Sequence, residues 1–354
     1  MKIAAVGKSF PPHYYDQETL VAALRDHWAE RHFNLRRLEQ LHRNVMVGGR
    51  YLALPIERYA GLDTWGQAND AWIEVAQEVG GEAVLGALAG AGLTVDDVGA
   101  IFFVSVTGVA TPSIDARLVN RLGLPENIKR LPLFGLGCVA GAAGIARAAD
   151  YVRAFPDQVA VLLSVELCSL TLQRQDLSIP NLIASGLFGD GAAAVAITGA
   201  ERGTLPGHAA GPEIVATRSV FYRDTERAMG WDISERGFGI VLGPEVPEMA
   251  RDHLGKDVDR FLVDHGLGRG DVARWICHPG GPRVLSAIGE ALELSEDDLA
   301  IPWRSLREVG NLSSTSVLLV LEETLRERPP EAGAWGVLLA MGPGFCSELV
   351  LLRW

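Results

Sequence analysis

Cysteine is scarce, with four in 354 residues, at positions 138, 168, 277 and 346. None belongs to a CxxC pair or to a Cys/His cluster at zinc spacing, so no metal site is expected and the thiols read as reduced thiols of a cytoplasmic protein. Long apolar runs are missing too. The longest uncharged stretches, 131–146 and 332–347, are broken by glycines and fall short of the roughly 18 apolar residues of a spanning helix, so no membrane span is expected. The N-terminal apolar run is too short for a signal peptide. Positive charge is also in deficit. A formal net charge of −12 lacks the basic footprint of a nucleic-acid binder.

What is present describes a well-packed α/β protein. The hydrophobic fraction is 48%, with 40 glycines and 21% charged residues. A chain of this length exceeds one simple core and suggests two closely packed halves, 1–205 and 206–354, joined through the Gly/Pro-rich stretch 199–211. The apolar spacing predicts helices over 17–40, with Leu20, Leu24 and Trp28 on one face, and over 64–93. Buried strands are predicted over 101–106, 159–166 and 192–198, with a turn at Gly189-Asp190-Gly191 before the last of these. In the second half a strand over 274–277, a helix over 313–326 and strands over 335–340 and 348–354 repeat the order of elements in the first, which points to a site where the halves meet.

Cys138 lies between small residues, Gly135-Leu136-Gly137-Cys138-Val139-Ala140-Gly141, at the head of a segment with six alanines between 140 and 149. That segment should be a helix with the cysteine at its first turn. The free N–H groups and positive dipole end there favour thiolate, which predicts a lowered pKa and a nucleophile; an ordinary buried thiol is the other reading. Two further residues fit a nucleophile's needs. His278, in Cys277-His278-Pro279-Gly280-Gly281-Pro282, ends a strand where the chain turns and is able to take a thiol proton, or is a satisfied core histidine. Asn311, in Gly310-Asn311-Leu312-Ser313-Ser314, caps a helix or donates to a developing oxyanion. Residues 25–50 hold six arginines against three acids. They form either a solvated helix face or a docking surface for phosphates.

Taken with Leu187-Phe188-Gly189-Asp190-Gly191-Ala192 and Gly342-Pro343-Gly344-Phe345, these motifs run in the order found in the type III polyketide synthases, and the chain resembles that chalcone-synthase family over nearly its whole length. The resemblance implies a thiolase-like five-layered αβαβα fold built from two βαβαβαββ halves, a homodimer, and iterative decarboxylative condensation of malonyl-CoA onto an acyl-CoA starter, with coenzyme A thioesters as substrates and no further cofactor. It implies that Cys138 carries the starter as a thioester, that His278 activates the thiol, and that His278 and Asn311 polarise the malonyl thioester carbonyl. Phe188 matches a gate between coenzyme A tunnel and cavity, and Ile240 falls at the second gate position, with Phe238 two residues away. An isoleucine there implies a wider, less aromatic gate. Val106 and Thr107 match the cavity loop, Thr111 a residue that crosses to the partner subunit, Ser313 a cavity-lining serine and Gly344 the cavity floor. Gly280, Gly281 and Arg283 fall at the tunnel mouth, and Arg43 and Arg50 are candidates for coenzyme A phosphates.

Small cavity residues and an aliphatic gate favour an alkyl starter, giving alkylresorcinols or alkylpyrones. A malonyl starter giving 1,3,6,8-tetrahydroxynaphthalene is the alternative within the family. Outside it stand a ketoacyl-ACP synthase III-like enzyme, against which His278 is followed by Pro-Gly-Gly rather than Gln-Ala-Asn, and a noncatalytic thiolase-like acyl-binding protein.

Overall fold

The computed structural model describes residues 1–28, 34–202 and 211–354. The expected boundary at 205/206 and most of the expected linker lie outside them. Nine strands form one mixed sheet in the order Val272–Cys277, Trp335–Gly342, Cys346–Arg353, Glu213–Phe221, Lys2–Ser9, Asp190–Thr198, Val159–Leu167, Val98–Val104, Lys129–Leu133. Among the described residues the two halves of the sheet are paired at one position, Lys2–Glu213, flanked by the Ile3 N–H to Pro212 carbonyl and Ile214 N–H to Met1 carbonyl bonds, which divides the sheet into two leaves. Lys2–Ser9, which the charge at both ends hides from a sequence reading, is the central strand. The first half runs strand, helix, strand, helix, strand, helix, strand, strand. Its Lys129–Leu133 and Val159–Leu167 strands flank Val98–Val104 in parallel, and the Ala140–Ala154 helix crosses between them.

That helix and Ser314–Glu327 form the middle layer. The first packs on strands of both leaves, and the two helices pack on each other. Their shared core joins Ala142, Ile145 and Ala149 to Val317, Leu318 and Leu321. One outer layer is the Trp65–Gly90 helix, capped at Thr64 by a reciprocal Thr64/Gln67 box. The other is built on Gly255–Val263 and Pro282–Leu292. Helix, leaf, helix pair, leaf and helix make the five-layered thiolase-like arrangement.

The segment expected as one helix over 17–40 contains Gln17–Trp28 and Leu35–Asn44, with residues 29–33 outside the described set. The expected turn at Asp190 is instead the first residue of a strand. Its buried carboxylate accepts from the Ala53 N–H at 2.6 Å, from the Ser169 N–H at 2.8 Å and from the Ser169 hydroxyl, bonds that a solvent turn would not offer.

Candidate active site

Cys138 sits in a tight turn, Gly137–Val139, that runs straight into the Ala140–Ala154 helix. The turn depends on glycine. Gly137 has φ +58°, and a Cβ on it would lie 2.5 Å from Pro343 Cδ; a Cβ on Gly342 would lie 2.7 Å from the Val139 nitrogen. The Gly342-Pro343-Gly344 loop therefore packs directly on the cysteine turn. Gly344 itself has φ +139°, and its Cβ position lies 2.9 Å from Phe221 Cε2, so this part of the site wall also excludes side chains.

A chain of contacts links the three central residues. Cys138 Sγ lies 3.6 Å from Ser313 Oγ. The Ser313 N–H donates to Asn311 Oδ1 at 2.8 Å, and Asn311 Nδ2 donates to the Gly280 carbonyl at 3.0 Å. The Gly280 Cα faces the His278 ring, since a Cβ there would lie 3.4 Å from the ring Cδ2. These bonds fix the amide orientation of Asn311 and leave one of its two amide hydrogens free. Ser313 begins the Ser314–Glu327 helix with φ +47° and ψ −126° and makes no capping bond with its side chain. That backbone costs about 1–2 kcal/mol for a non-glycine residue, and it turns the hydroxyl toward the thiol.

The electrostatics differ from the sequence expectation. Cys138 is buried, and burial pushes its thiol up to about 12 despite the Ser313 contact. Desolvation of a thiolate outweighs the helix end, so the resting group is a neutral thiol. His278 is likewise buried and pulled down to about 4 by desolvation. Neither of its ring nitrogens has a hydrogen-bond partner among the described residues, the Cys138 thiol included. A neutral imidazole with both nitrogens uncommitted is able to accept a proton at one and donate from the other.

Phe188 and Ile240 line an apolar cavity of about 180 Å³ with Arg50, Cys168, Leu172 and Trp231, and Cys138, His278 and Asn311 are not part of its wall; Phe188, paired through its backbone with Asn311, lies between the cavity and those residues. Phe238 is buried elsewhere, packed on Trp65 and Trp231 at ring distances of 5.9 and 6.0 Å, so Ile240 is the residue that faces the cavity. Ile240 is paired across the hairpin Met229–Ser234/Gly237–Leu242 with Trp231. That tryptophan restores the aromatic surface the isoleucine removes, and it went unnoticed because the hairpin was not read from the sequence. Cys168 stands in the sequence only as one of four scattered thiols.

Val106 and Thr107 are buried, and Thr107 does not offer its hydroxyl to a ligand. The hydroxyl donates to Glu166 at 2.9 Å and accepts from Trp72 Nε1 at 3.2 Å and the Leu167 N–H at 2.9 Å. The Val106 N–H also donates to Glu166, at 3.1 Å, and the opposite oxygen of Glu166 accepts from the Ser314 hydroxyl. Glu166 thus ties the 105–107 loop of one half to the first turn of the Asn311 helix in the other. Its signal was a lone acid within the otherwise apolar strand Val159–Leu167. Thr111 is exposed on the isolated chain.

Gly281 has φ +148° and, with Pro282, starts the helix that carries Arg283 on its exposed face. Arg283 makes no ion pair among the described residues. Arg43 is exposed and paired with Glu39 at 3.2 Å. Arg50 overturns its expectation. It is only 3% exposed, and its guanidinium donates to the Phe188 carbonyl at 3.2 Å and the Ser185 carbonyl at 2.5 Å. Those bonds commit both terminal nitrogens to the main chain, although the side chain also borders the cavity beside Phe188.

Fold and site place the chain among acyltransferases of thiolase-like architecture. It belongs to the chalcone and stilbene synthase family: the N-terminal domain model of chalcone and stilbene synthases matches residues 1–202 and the C-terminal domain model residues 213–354. The chain is a type III polyketide synthase. It is 53% identical over 352 residues to the 1,3,6,8-tetrahydroxynaphthalene synthase of Streptomyces peucetius subsp. caesius, covering 99% of this chain and 93% of that protein. It is 35% identical to a putative chalcone synthase of Bacillus subtilis (strain 168), covering 99% and 98%. The crystal structure of 1,3,6,8-tetrahydroxynaphthalene synthase from Streptomyces coelicolor A3(2) superposes with a TM-score of 0.93 at 30% identity, over 100% of this chain and 99% of that one. Among the described residues, no helix is long and apolar enough to cross a membrane.

Proposed function

We propose that the enzyme condenses malonyl units from malonyl-CoA, with malonyl-CoA also supplying the starter, and releases 1,3,6,8-tetrahydroxynaphthalene. The observation that carries the chemistry is the buried His278 ring with both nitrogens uncommitted among the described residues, at the end of a chain of contacts that runs through Gly280, Asn311 and Ser313 to the Cys138 thiol. Cys138 attacks the starter thioester carbonyl, its proton passes to His278, and coenzyme A leaves as the thiol after taking that proton. A malonyl-CoA then places its thioester oxygen against Asn311 Nδ2–H and a His278 N–H. The bond to the carboxylate breaks, carbon dioxide leaves, and the electron pair becomes an enolate whose charge those donors hold. The enolate carbon attacks the Cys138 thioester and expels the cysteine sulfur. Arg283, unpaired at the mouth beside Gly280 and Gly281, is suited to a coenzyme A phosphate. Exposed Val109, Leu131 and Phe134, on the half that carries Thr111, support a second copy of the chain as the partner.

The identity to the Streptomyces peucetius enzyme favours the malonyl starter over the alkyl one. The apolar cavity lined by Leu20, Leu24 and Leu172 keeps an alkyl starter as the second reading. The test is turnover of labelled malonyl-CoA alone and with acyl-CoA starters from acetyl to long-chain, on wild type, Cys138→Ala and Asn311→Ala, with products resolved by mass. An aromatic pentaketide from malonyl-CoA alone, absent without Cys138, is expected. Product formed only with fatty acyl starters would replace the malonyl reading by the alkyl one. Asn311→Ala should lose about 10²–10³-fold in decarboxylation, as for other single oxyanion donors; full decarboxylation would remove Asn311 from the mechanism.

A further inference from the structure

The segment that carries the gate residue is held from both sides. The helix Ile179–Leu187 ends at Phe188. On the side of the reaction centre, the Asn311 N–H donates to the Leu187 carbonyl at 2.9 Å and the Gly189 N–H donates to the Asn311 carbonyl at 3.0 Å. Asn311 and the gate therefore share one short piece of backbone pairing. On the other side, the Ala184 carbonyl takes the Phe188 N–H, and further carbonyls near the helix end are met by side chains from the N-terminal region. His42 Nε2 reaches the Leu182 carbonyl at 3.0 Å, Gln17 Nε2 the Gly186 carbonyl at 2.9 Å, and Arg50 the carbonyls of both Ser185 and Phe188.

Arg50 is the centre of this clamp. Its fork spans the helix end, where unpaired carbonyls and the negative dipole end favour a cation. The buried carboxyl of Asp190, two residues beyond Phe188, supports the guanidinium's charge against desolvation. There is no slack in the packing, since a Cβ on Gly189 would lie 3.2 Å from the Arg50 Cβ and 2.5 Å from the Val309 carbonyl oxygen.

We propose that Arg50 is a positioning residue for the condensation: by fixing the main chain of Ser185 and Phe188 it sets the gate ring against Ile240 and Trp231 and, through the Leu187–Asn311–Gly189 pairing, sets the amide of Asn311. Its N–H donors act on the main chain and not on a coenzyme A phosphate. The inference rests on the assignment of Asn311 and the gate given above. A displacement of about 1 Å at such a residue is enough for losses of up to about 10²-fold.

The test compares Arg50→Met with wild type on two substrates, malonyl-CoA and malonyl-pantetheine, which has the thioester but no phosphate. The expected result is a fall in kcat of about tenfold or more by the same factor on both, KM for malonyl-CoA nearly unchanged, more short lactones among the products, and faster amide exchange at Phe188, Gly189 and Asn311. Arg50→Lys, which keeps the charge beside Asp190 and one carbonyl contact, should recover part of the rate, and it carries the same comparison if Arg50→Met does not fold. A rise in KM confined to malonyl-CoA, with malonyl-pantetheine untouched, would overturn the proposal and return Arg50 to the phosphates. Unchanged kinetics on both substrates would overturn it as well. Amide exchange is read whether or not the wild type turns over malonyl-CoA, so failure of the functional assignment and failure of the clamp give different results.

Discussion

Replacing Gly141 by alanine sets two ordinary effects against each other at the seam of the molecule. Gly141 is the second residue of the Ala140–Ala154 helix, where helix propensity favours alanine by up to about 1 kcal/mol. A Cβ there would lie 2.3 Å from the Ser314 carbonyl oxygen and 2.6 Å from Val317 Cγ1. The oxygen is backbone and belongs to the first turn of the Asn311 helix, so the two middle helices must separate. Overpacking of this kind costs about 1–3 kcal/mol, and a rigid backbone partner puts it at the upper end. The net loss is about 2 kcal/mol. With an unfolding entropy of about 2.1 cal/mol/K per residue over the chain, that lowers Tm by about 3 °C.

The same movement separates Ser313 and Asn311 from Cys138, so decarboxylation of malonyl-CoA should fall by about tenfold or more. Thermal unfolding and carbon dioxide release on the same preparation check both halves. Gly123→Ala is the control: Gly123 has φ +69° but nothing within 4 Å of its Cβ position, so it carries the left-handed backbone cost of about 1 kcal/mol alone and leaves catalysis intact. A Gly141→Ala enzyme with raised Tm and full activity would show that the two helices are not in fixed register.

Trp231→Ala should widen the cavity opposite Phe188 and shift products toward longer chains, read by mass; an unchanged product profile would mean that the tryptophan does not bound the growing chain. His42 is pulled down to about 4 by burial and the nearby Arg50 charge, below the ordinary 6.5 of an unfolded histidine. The unfolded chain then binds the extra proton, so this group's share of stability is intact above pH 6.5 and is lost as pH falls toward 4. Between pH 7.5 and 5 the loss is about 2 kcal/mol, and His42→Gln, which keeps a donor for the Leu182 carbonyl, should remove it. Parallel urea-unfolding midpoints for wild type and variant at the two pH values would refute the assignment.

The residues that were legible in sequence share a local cause. Cys138, His278 and Asn311 each stand beside glycines or prolines where backbone geometry is fixed within a few residues, and the structure brings all three to one place. Arg50 was misplaced because a count of charges treats every arginine as solvated, whereas this one is buried by a helix 135 residues later whose last carbonyls it meets. Glu166 and Thr107 form a bond across 59 residues, and no local pattern signals such a partner. The strand Lys2–Ser9 was missed because its periodicity is masked by lysines near both ends. Its place at the centre of the sheet is set by long-range pairing with Asp190–Thr198.

Burial also changes how the thiol must be activated on the proposed reading. A helix end alone argues for a standing thiolate, but the same desolvation that pushes Cys138 up to about 12 pulls His278 down to about 4. At neutral pH the pair rests uncharged, with the imidazole free to receive the proton. Charge separation is then cheapest when the acyl thioester is already bound, because the developing alkoxide and the imidazolium offset each other in a space that water does not screen. An enzyme that must hold malonyl-CoA without hydrolysing it gains from that order of events: the nucleophile is made only when its electrophile is in place. It follows that iodoacetamide, a small electrophile that brings no oxyanion to the donors, should alkylate Cys138 slowly at pH 7 and faster as pH rises, whereas malonyl-CoA turnover should stay nearly flat over the same range. Rapid alkylation at pH 7 would show a standing thiolate, and the helix end, not the pair, would then be what activates it.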